Sequence, residues 1–446
     1  MKKVMLICAP VSSRSGYGDH ARDLVRAFLK LDKFNIKIFD VNWGETPRDA
    51  LDNELDKNII DCILSEPKMD SQPDVYVDIR IPNEFQTYGK VNIGITAGIE
   101  TTAVSSNWIE GCNKMDLTIV PSEHSKEGFV KALYEKMQQL PNGQQQKVGE
   151  LRLEKPIETL FEGVDENVFK PLDESSLNLV DDIKEEFAFL HVGLWGKGGY
   201  GEDRKDISKM IKVFYESFAN KKKQPALILK TCGATFSILD REDCLNKINH
   251  IKSQFPKDWN LPNVYLLHGS LSTEEMNKLY NHPKVKVFVS LTHGEGFGRP
   301  MLEASMVGLP VIAPAWSGQM DFLSQENSIL LGGELVNVPR SQHWKDIIIP
   351  ESQWFNVNEQ QTYKAMNYCF DNYDEVKEKA LNLMKVNRDK FTLGKMSEKL
   401  GEIITPIVDK VPQQVGLKLP KLKKVGSSNQ PKIKLPKLKK TSEATL

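Results

Sequence analysis

Apolar residues along this chain fall into two alternating patterns. Short, nearly continuous runs rich in Val, Ile, Leu and Phe occur at Val4–Ala9, Ile36–Val41, Val75–Ile79, Val91–Ile95 and Leu117–Val120. They recur at Phe187–Leu194, Ala226–Lys230, Val264–Leu267 and Val285–Val289. Runs of this length without a polar alternate face suit strands covered on both sides. Between them lie amphipathic stretches such as Asp19–Leu31 and Ile207–Phe218, spaced for helices. Strand and helix alternating in this way predict an α/β fold of parallel sheets with helices on both faces. At 446 residues the chain is long enough for two or three such cores.

The run Val285–Val289 leads into Leu-Thr-His-Gly-Glu-Gly-Phe-Gly-Arg-Pro-Met-Leu-Glu, residues 291 to 303. Here the chain must turn from strand to helix. Gly294, Gly296 and Gly298 lack Cβ atoms, so the backbone around Phe297 can take unusual dihedrals and approach a ligand closely. Pro300 suits the first helical position, and Met301–Val307 continues the helix. Free N–H groups and the positive end of the helix dipole at this boundary attract phosphate. Glu295 falls in the loop and Glu303 in the first helical turn, so the two acids can address opposite ends of one extended ligand, and carboxylates accept hydrogen bonds from sugar and ribose hydroxyls.

Glu295, seven intervening residues, Glu303 and the following Gly308-Leu-Pro-Val-Ile-Ala313 resemble the family-4 retaining glycosyltransferases. Their fold, GT-B, sets two Rossmann-like domains face to face across a cleft. The resemblance implies that Glu295 contacts the donor sugar, Glu303 the ribose, and the loop amides from Gly294 to Gly298 the diphosphate. Lys114–Phe129 and Gly163–Pro171 also resemble segments of that family. It implies an N-terminal, acceptor-side domain over 1–170, a donor-side domain over 171–390, and a helix over 391–410 that crosses back. That helix is expected at Lys395–Ile404, stopped by Pro406.

The same resemblance assigns further residues. Lys205 matches the lysine that binds the donor diphosphate, and Arg204 precedes it as in many members. An ammonium there stabilises the charge that grows on a departing diphosphate. Many relatives carry an arginine where Leu194 stands, a gap that Lys197 or Arg204 can fill. The first loop, with Gly16 and Gly18, is placed in the cleft, and His268 and the strand end around it near the base. Many relatives also have a histidine in the first-domain loop facing the sugar, where this chain has Thr96-Ala-Gly-Ile-Glu-Thr-Thr102. Glu100 is the substitute candidate, with His20 a weaker one. His268 and His293 both have an ordinary structural reading as well. The implied activity is transfer of a sugar, with retention, from a nucleotide-diphosphate sugar, UDP- or GDP-linked being favoured, to an unidentified glycan, lipid or protein hydroxyl.

Two readings from other classes stay open. Gly16-Tyr-Gly-Asp-His-Ala21 opens a helix and fits the dinucleotide fingerprint, with Asp40 placed for a ribose, which points to an NAD-dependent oxidoreductase. Against it, Pro10–Ser15 separate the strand from the first glycine. A degenerate glycosyltransferase scaffold that binds nucleotide without turnover is the other.

Composition refines this picture. The six cysteines form no CxxC pair or Cys/His cluster, and no Asp-x-Asp triplet occurs, so neither zinc nor a diphosphate-bound divalent ion is expected and no cofactor is required. The short apolar run after Met-Lys-Lys is read as a core strand, and nothing approaches the roughly 20 apolar residues of a membrane span. The expected location is the cytoplasm. Net charge is −1, yet the segment from Val411 to Leu446 holds nine lysines and one glutamate and contains Lys-Leu-Pro-Lys-Leu-Lys-Lys twice, at 418–424 and 434–440. Like charges and prolines argue against a packed core there, so 411–446 reads as a disordered tail. It could attach to an anionic membrane surface or dock on a protein; specific nucleic-acid binding is not expected.

Overall fold

The computed structural model describes residues 2–140, 143–173, 180, 182–233 and 235–412; from residue 413 on, the lysine-rich tail lies outside the described residues. In chain order the first half contains β1 (Lys3–Ala9), α1 (Gly16–Leu31), β2 (Phe34–Asp40), α2 (Lys57–Ile60), β3 (Val75–Ile79), β4 (Val91–Ile95), α3 (Ser106–Lys114), β5 (Leu117–Val120), α4 (Glu123–Lys131), β6 (Leu133–Gln139), β7 (Gln145–Arg152) and β8 (Ile157–Thr159). The second half adds β9 (Ala188–Val192), α5 (Ile207–Phe218), β10 (Ala226–Lys230), α6 (Ile238–Ser253), β11 (Val264–Leu267), α7 (Thr273–Asn281), β12 (Val285–Val289), α8 (Arg299–Met306), β13 (Val311–Pro314) and β14 (Ile329–Leu331). The pair β15 (Gly333–Asn337) and β16 (Gln353–Val357) follows, then α9 (Glu359–Asp371), α10 (Tyr373–Lys390) and α11 (Leu393–Val408).

Two six-stranded sheets result, ordered β2-β1-β3-β4-β5-β8 and β11-β10-β9-β12-β13-β14, and every pairing within them is parallel. The strand cores Met5, Ile7, Val75, Val77 and Ile93 in the first sheet, and Phe189, Leu227, Val287 and Ile312 in the second, are almost fully buried, as double-sided cover requires. Strand order reverses between β1 and β3 in one sheet and between β9 and β12 in the other. In open parallel sheets the crevice beyond the carboxyl ends of the strands at such a reversal is where ligands bind.

The helices start where local chemistry allows. Ser15 caps α1 by accepting from the Gly18 N–H, Ser122 caps α4 through Ser125, and Ser272 with Glu275 forms a reciprocal capping box on α7. Two sequence expectations are corrected. Pro406 does not stop the last helix, because α11 runs from Leu393 to Val408 with Pro406 inside it. Pro406 and Glu402, whose carbonyl loses its amide partner, are both on the exposed side, where water can serve that carbonyl, while Ile404 and Val408 anchor the last turn in the core. The helix after the glycine loop begins at Arg299, capped by Gly298 at φ 99°, so Glu303 stands one turn further in than the first helical turn.

Core packing ties the C-terminal helix to the first sheet. Met396, Leu400, Ile404 and Val408 of α11 bury against the cluster of Leu24, Ala27 and Phe28 from α1. Ser397 Oγ donates to the Ala27 carbonyl at 3.0 Å, and Gly401 leaves room for Leu31. Val164 and Phe169 already pack into the core of the second sheet, together with Leu383 of α10. The ribbon β6–β7 is antiparallel and largely exposed, a departure from the strand–helix alternation that its mixed polar sequence does not signal. Among the described residues no helix is long and apolar enough to cross a membrane.

Leu400→Ala removes a fully buried side chain from the seam between α11 and the first sheet, and it is expected to cost about 2–5 kcal/mol. Denaturant unfolding monitored by circular dichroism measures it; a loss under about 1 kcal/mol would show that α11 contributes little to the first core.

Candidate functional site

The loops that leave β9 and β12, the strands flanking the reversal in the second sheet, carry the charged groups. Residues 193–206 follow β9 and bring Arg204 and Lys205; residues 290–298 follow β12 and bring Glu295. Glu295, only 7% exposed, accepts from Lys205 Nζ at 2.5 Å and from Arg204 Nη1 at 3.1 Å. Arg204 also donates to the Gly294 carbonyl at 2.9 Å and lies 3.7 Å from Glu100 of the first domain. Burial pushes the Glu295 carboxyl up, but the two cations more than offset this and hold it at about 2. Burial pulls Lys205 down, against the attraction of Glu295 and with the repulsion of Arg204. One carboxylate serves two cations, so the anion is strongly held and the lysine less so. Lys205 and Arg204 thus stand side by side over one buried carboxylate, with Glu100 answering Arg204 from the other domain, and the pair of cations can turn toward a diphosphate.

The glycines of the loop are used for contact between the domains. A Cβ on Gly294 would lie 2.0 Å from the Glu100 carbonyl oxygen, and one on Gly296 would lie 2.0 Å from that of Ala97. Ser122 Oγ at the start of α4 donates to the Gly296 carbonyl at 2.6 Å, and Ser317 Oγ accepts from the Glu295 N–H at 3.0 Å. Backbone therefore meets backbone where Thr96–Thr102 faces Gly294–Gly298. Tyr17 of α1 braces the same loop: its hydroxyl accepts from the Ala97 N–H at 3.0 Å and pairs with Thr96 Oγ1 at 2.7 Å, while its ring stacks on Trp43. Phe297 packs on Phe322 inside the second core, which pins the loop from the other side.

Glu303 is 9% exposed. It accepts from Arg299 Nε at 2.9 Å and from the Tyr280 hydroxyl at 3.1 Å, and Arg299 in turn pairs with Asp23 of α1. Burial raises the Glu303 carboxyl, opposed by Arg299. Asp23, Arg299 and Tyr280 were not singled out in the sequence. The one available signal was the i, i+4 spacing of Arg299 and Glu303 on a helix. Glu162, also buried among these charges, is pushed up to about 8 by desolvation.

Other candidates distribute as follows. Of the two cations considered for the gap at Leu194, Arg204 stands at Glu295, whereas Lys197 is exposed on the loop before it. His268, at the end of β11, is held at 2.8 Å by Asp240 and edge-on to Phe236. His293 lies inside the second domain with its ring nitrogens on the carbonyls of Phe355 and Gly201 and its face stacked on Trp354, a structural role. His20 is buried with both nitrogens unpartnered and pulled down to about 4 by desolvation. His191, missed by sequence reasoning, is fully buried with Nδ1 on the Val289 carbonyl at 3.0 Å, and both its Nε2 and the Lys205 stem crowd the space a Cβ on Gly193 would fill.

Gly16 and Gly18 open α1, but a Cβ on Gly18 would strike the Ser13 carbonyl at 2.1 Å, so Gly18 serves the fold of the preceding loop. Asp40 is engaged by Ser12 Oγ and Arg48, both at 2.5 Å. Among the described residues no group of three or more His, Cys, Asp or Glu side chains is arranged to hold a metal ion.

Residues 202–349, which contain Arg204, Lys205, Glu295 and Glu303, match the family described as glycosyl transferases group 1. Similar solved structures include Anabaena HepE in complex with UDP and glucose, at 13% identity over 91% of this chain and 100% of that one, with a TM-score of 0.59. Sucrose-phosphate synthase from Thermosynechococcus elongatus gives 12% identity, 92% and 100% coverage and 0.59. A glycosyltransferase from Rickettsia africae gives 14% identity, 92% and 99% coverage and 0.59. No curated protein matches the sequence. The chain has the GT-B fold: two parallel-sheet α/β domains matching these structures along nearly their whole length.

Replacing Glu295 by Gln leaves Lys205 without its carboxylate and Arg204 with only the more distant Glu100, and is expected to destabilise by about 3–5 kcal/mol near neutral pH. Because the folded-state carboxyl is depressed to about 2, its contribution is complete above the ordinary carboxylate range and drains away as pH falls toward that value. The gap in unfolding midpoint between wild type and Glu295→Gln should therefore narrow below about pH 4.5. A gap that stays constant would contradict the ion pairing.

Proposed function

We propose that the protein is a nucleotide-sugar glycosyltransferase of the retaining type. The observation that carries this reading is the placement of Glu295, Lys205 and Arg204 at the strand-order reversal of the second sheet, facing the Thr96–Thr102 loop of the first. Support comes from the family match over the same residues and from the UDP and glucose named for the Anabaena complex. UDP- or GDP-linked donors are favoured, and the acceptor is a glycan, lipid or protein hydroxyl.

In this proposal the donor diphosphate lies against Lys205, Arg204 and the amides of Gly294–Gly298, with Gly16 and Gly18 at the opposing start of α1. Glu295 accepts from hydroxyls of the transferred sugar, Glu303 accepts from the ribose, and His268 stands at the base corner. The acceptor hydroxyl attacks the anomeric carbon from the side on which the diphosphate leaves, and the departing phosphate oxygen takes the proton. The cations neutralise charge on that oxygen, and Glu100, close to Arg204 across the boundary, flanks the sugar. The enzyme's contribution is then positioning and electrostatics, with no strong protein base. The tail beyond residue 412 is proposed to hold the enzyme at an anionic membrane surface, since each lysine there contributes up to about 1 kcal/mol at low salt.

A thermal-shift screen with UDP, GDP, ADP and CMP, followed by hydrolysis assays with the matching nucleotide sugars, tests the activity. Turnover of a donor supports it; tight nucleotide binding with no turnover of any donor favours the scaffold reading, and NAD reduction favours the oxidoreductase. Glu303→Ala is expected to weaken nucleotide binding by about 1–3 kcal/mol in calorimetry. Lys205→Ala should lower the rate of donor turnover more than it weakens binding of the free nucleoside; equal losses would argue against a role on the leaving group. Removing 413–446 should leave turnover of soluble substrates intact and reduce co-sedimentation with phosphatidylserine vesicles; unchanged co-sedimentation would rule out the membrane role.

A further inference from the structure

The carboxylate assigned to the ribose is tied to the opposite domain by a continuous run of charged groups. Asp56 accepts from Arg26 at 2.6 Å, and Arg26 also reaches Asp23 at 2.7 Å. The other oxygen of Asp23 accepts from Arg299 Nη1, Arg299 Nε donates to Glu303 Oε1, and Glu303 Oε2 accepts from Tyr280. The run follows α1 in the first domain, crosses between domains at the Asp23–Arg299 contact, and ends on Glu303. Asp23 is 5% exposed and Glu303 9%, so neither carboxylate is solvated enough to be indifferent to its partners.

An arginine facing a lone carboxylate prefers to bind it with two parallel N–H bonds. Here it does not. Asp23 anchors the guanidinium at Nη1, and in the orientation this fixes only Nε, not the neighbouring Nη2, reaches Glu303, while Tyr280 takes one position on the second oxygen. A carboxylate offers about four acceptor positions, so roughly two remain on Glu303, the number a ribose diol needs. Without Asp23 the guanidinium would be free to turn and lay its Nε and Nη2 fork across both oxygens of Glu303, in competition with the sugar.

We propose that Asp23 and Arg299 are positioning residues for the nucleotide ribose: Asp23 holds one edge of Arg299 so that Glu303 stays singly engaged and open to the 2′- and 3′-hydroxyls. A residue of the first domain thereby sets nucleotide recognition in the second, and ribose occupancy is coupled to contact between the domains. This inference rests on the reading of Glu303 as the ribose contact.

The test is isothermal titration calorimetry on the full chain with UDP and 2′,3′-dideoxy-UDP, and the GDP pair in parallel. Wild type is expected to prefer the ribonucleotide by roughly 10-fold or more, since hydrogen bonds to an ionised carboxylate are lost in the dideoxy analogue. In Asp23→Asn the preference should fall several-fold, to about 3-fold or less, with affinity for the dideoxy analogue unchanged within about 2-fold. Arg299→Lys, which keeps the charge but not the fork, should behave likewise, and Asp23→Glu should restore part of the preference. A merely structural role would weaken both ligands together, so an equal loss for both, or a preference that survives Asp23→Asn and Arg299→Lys, overturns the proposal. Wild type that fails to distinguish ribose from dideoxyribose, or binds neither pair, overturns the ribose reading itself and this inference with it. Thermal unfolding of each variant identifies any that fails to fold, and Arg299→Lys and Asp23→Glu then decide the matter.

Discussion

The arrangement of this molecule depends on a backbone-to-backbone approach. At Gly294 and Gly296 the loop after β12 comes so close to the carbonyls of Glu100 and Ala97 that no side chain fits between them. That closeness brings Glu295 under the first domain, buries it, and makes the two neighbouring cations necessary, since an unpaired carboxylate at 7% exposure would be costly. The bracing of the facing loop by Tyr17 and of the glycine loop by Ser122, Ser317 and Phe297 follows from the same requirement. Each holds one side of a contact that tolerates little displacement.

Electrostatics then divides the interdomain region into two poles. At Glu295 a buried carboxylate meets Lys205 and Arg204, with Glu100 farther off, whereas around Arg299 the carboxylates of Asp23, Glu303 and Asp19 gather, Arg26 and Arg22 answering two of them. An extended ligand with a dense negative centre and hydroxyl groups at its ends matches this division. The diphosphate seeks the positive pole and the polyols find acceptors in the acidic one. The surplus at each pole is small, because most charges are already paired, so recognition here is a matter of geometry more than of bulk potential.

Much of the fold was legible in the sequence because strands buried on both faces are written as apolar runs. Val75–Ile79, Val91–Ile95, Leu117–Val120, Ala226–Lys230, Val264–Leu267 and Val285–Val289 appear in the structure with the bounds read from the chain. The ribbon β6–β7 was not legible, since its residues are largely exposed and carry no apolar alternation. The reach of α11 past Pro406 was missed because a sequence shows the loss of an amide donor but not whether the orphaned carbonyl faces water. At the site, Glu295 and Glu303 could be picked out by residue type and spacing, and Lys205 and Arg204 through the family resemblance. Asp23, Tyr280, Tyr17 and His191 could not, as they act through contacts between separate elements, 276 positions apart for Asp23 and Arg299, or as buried supports with ordinary neighbours.

The chain passes between the two sheets twice, and the passages are stitched together. The Val164 N–H donates to the Phe391 carbonyl and the Leu393 N–H to the Val164 carbonyl, at 3.0 and 2.9 Å, while Phe161 rests edge-on against Phe391. Neither crossing can slide along the other without breaking both hydrogen bonds, so one residue, Val164, sets the register in which the two passages run side by side.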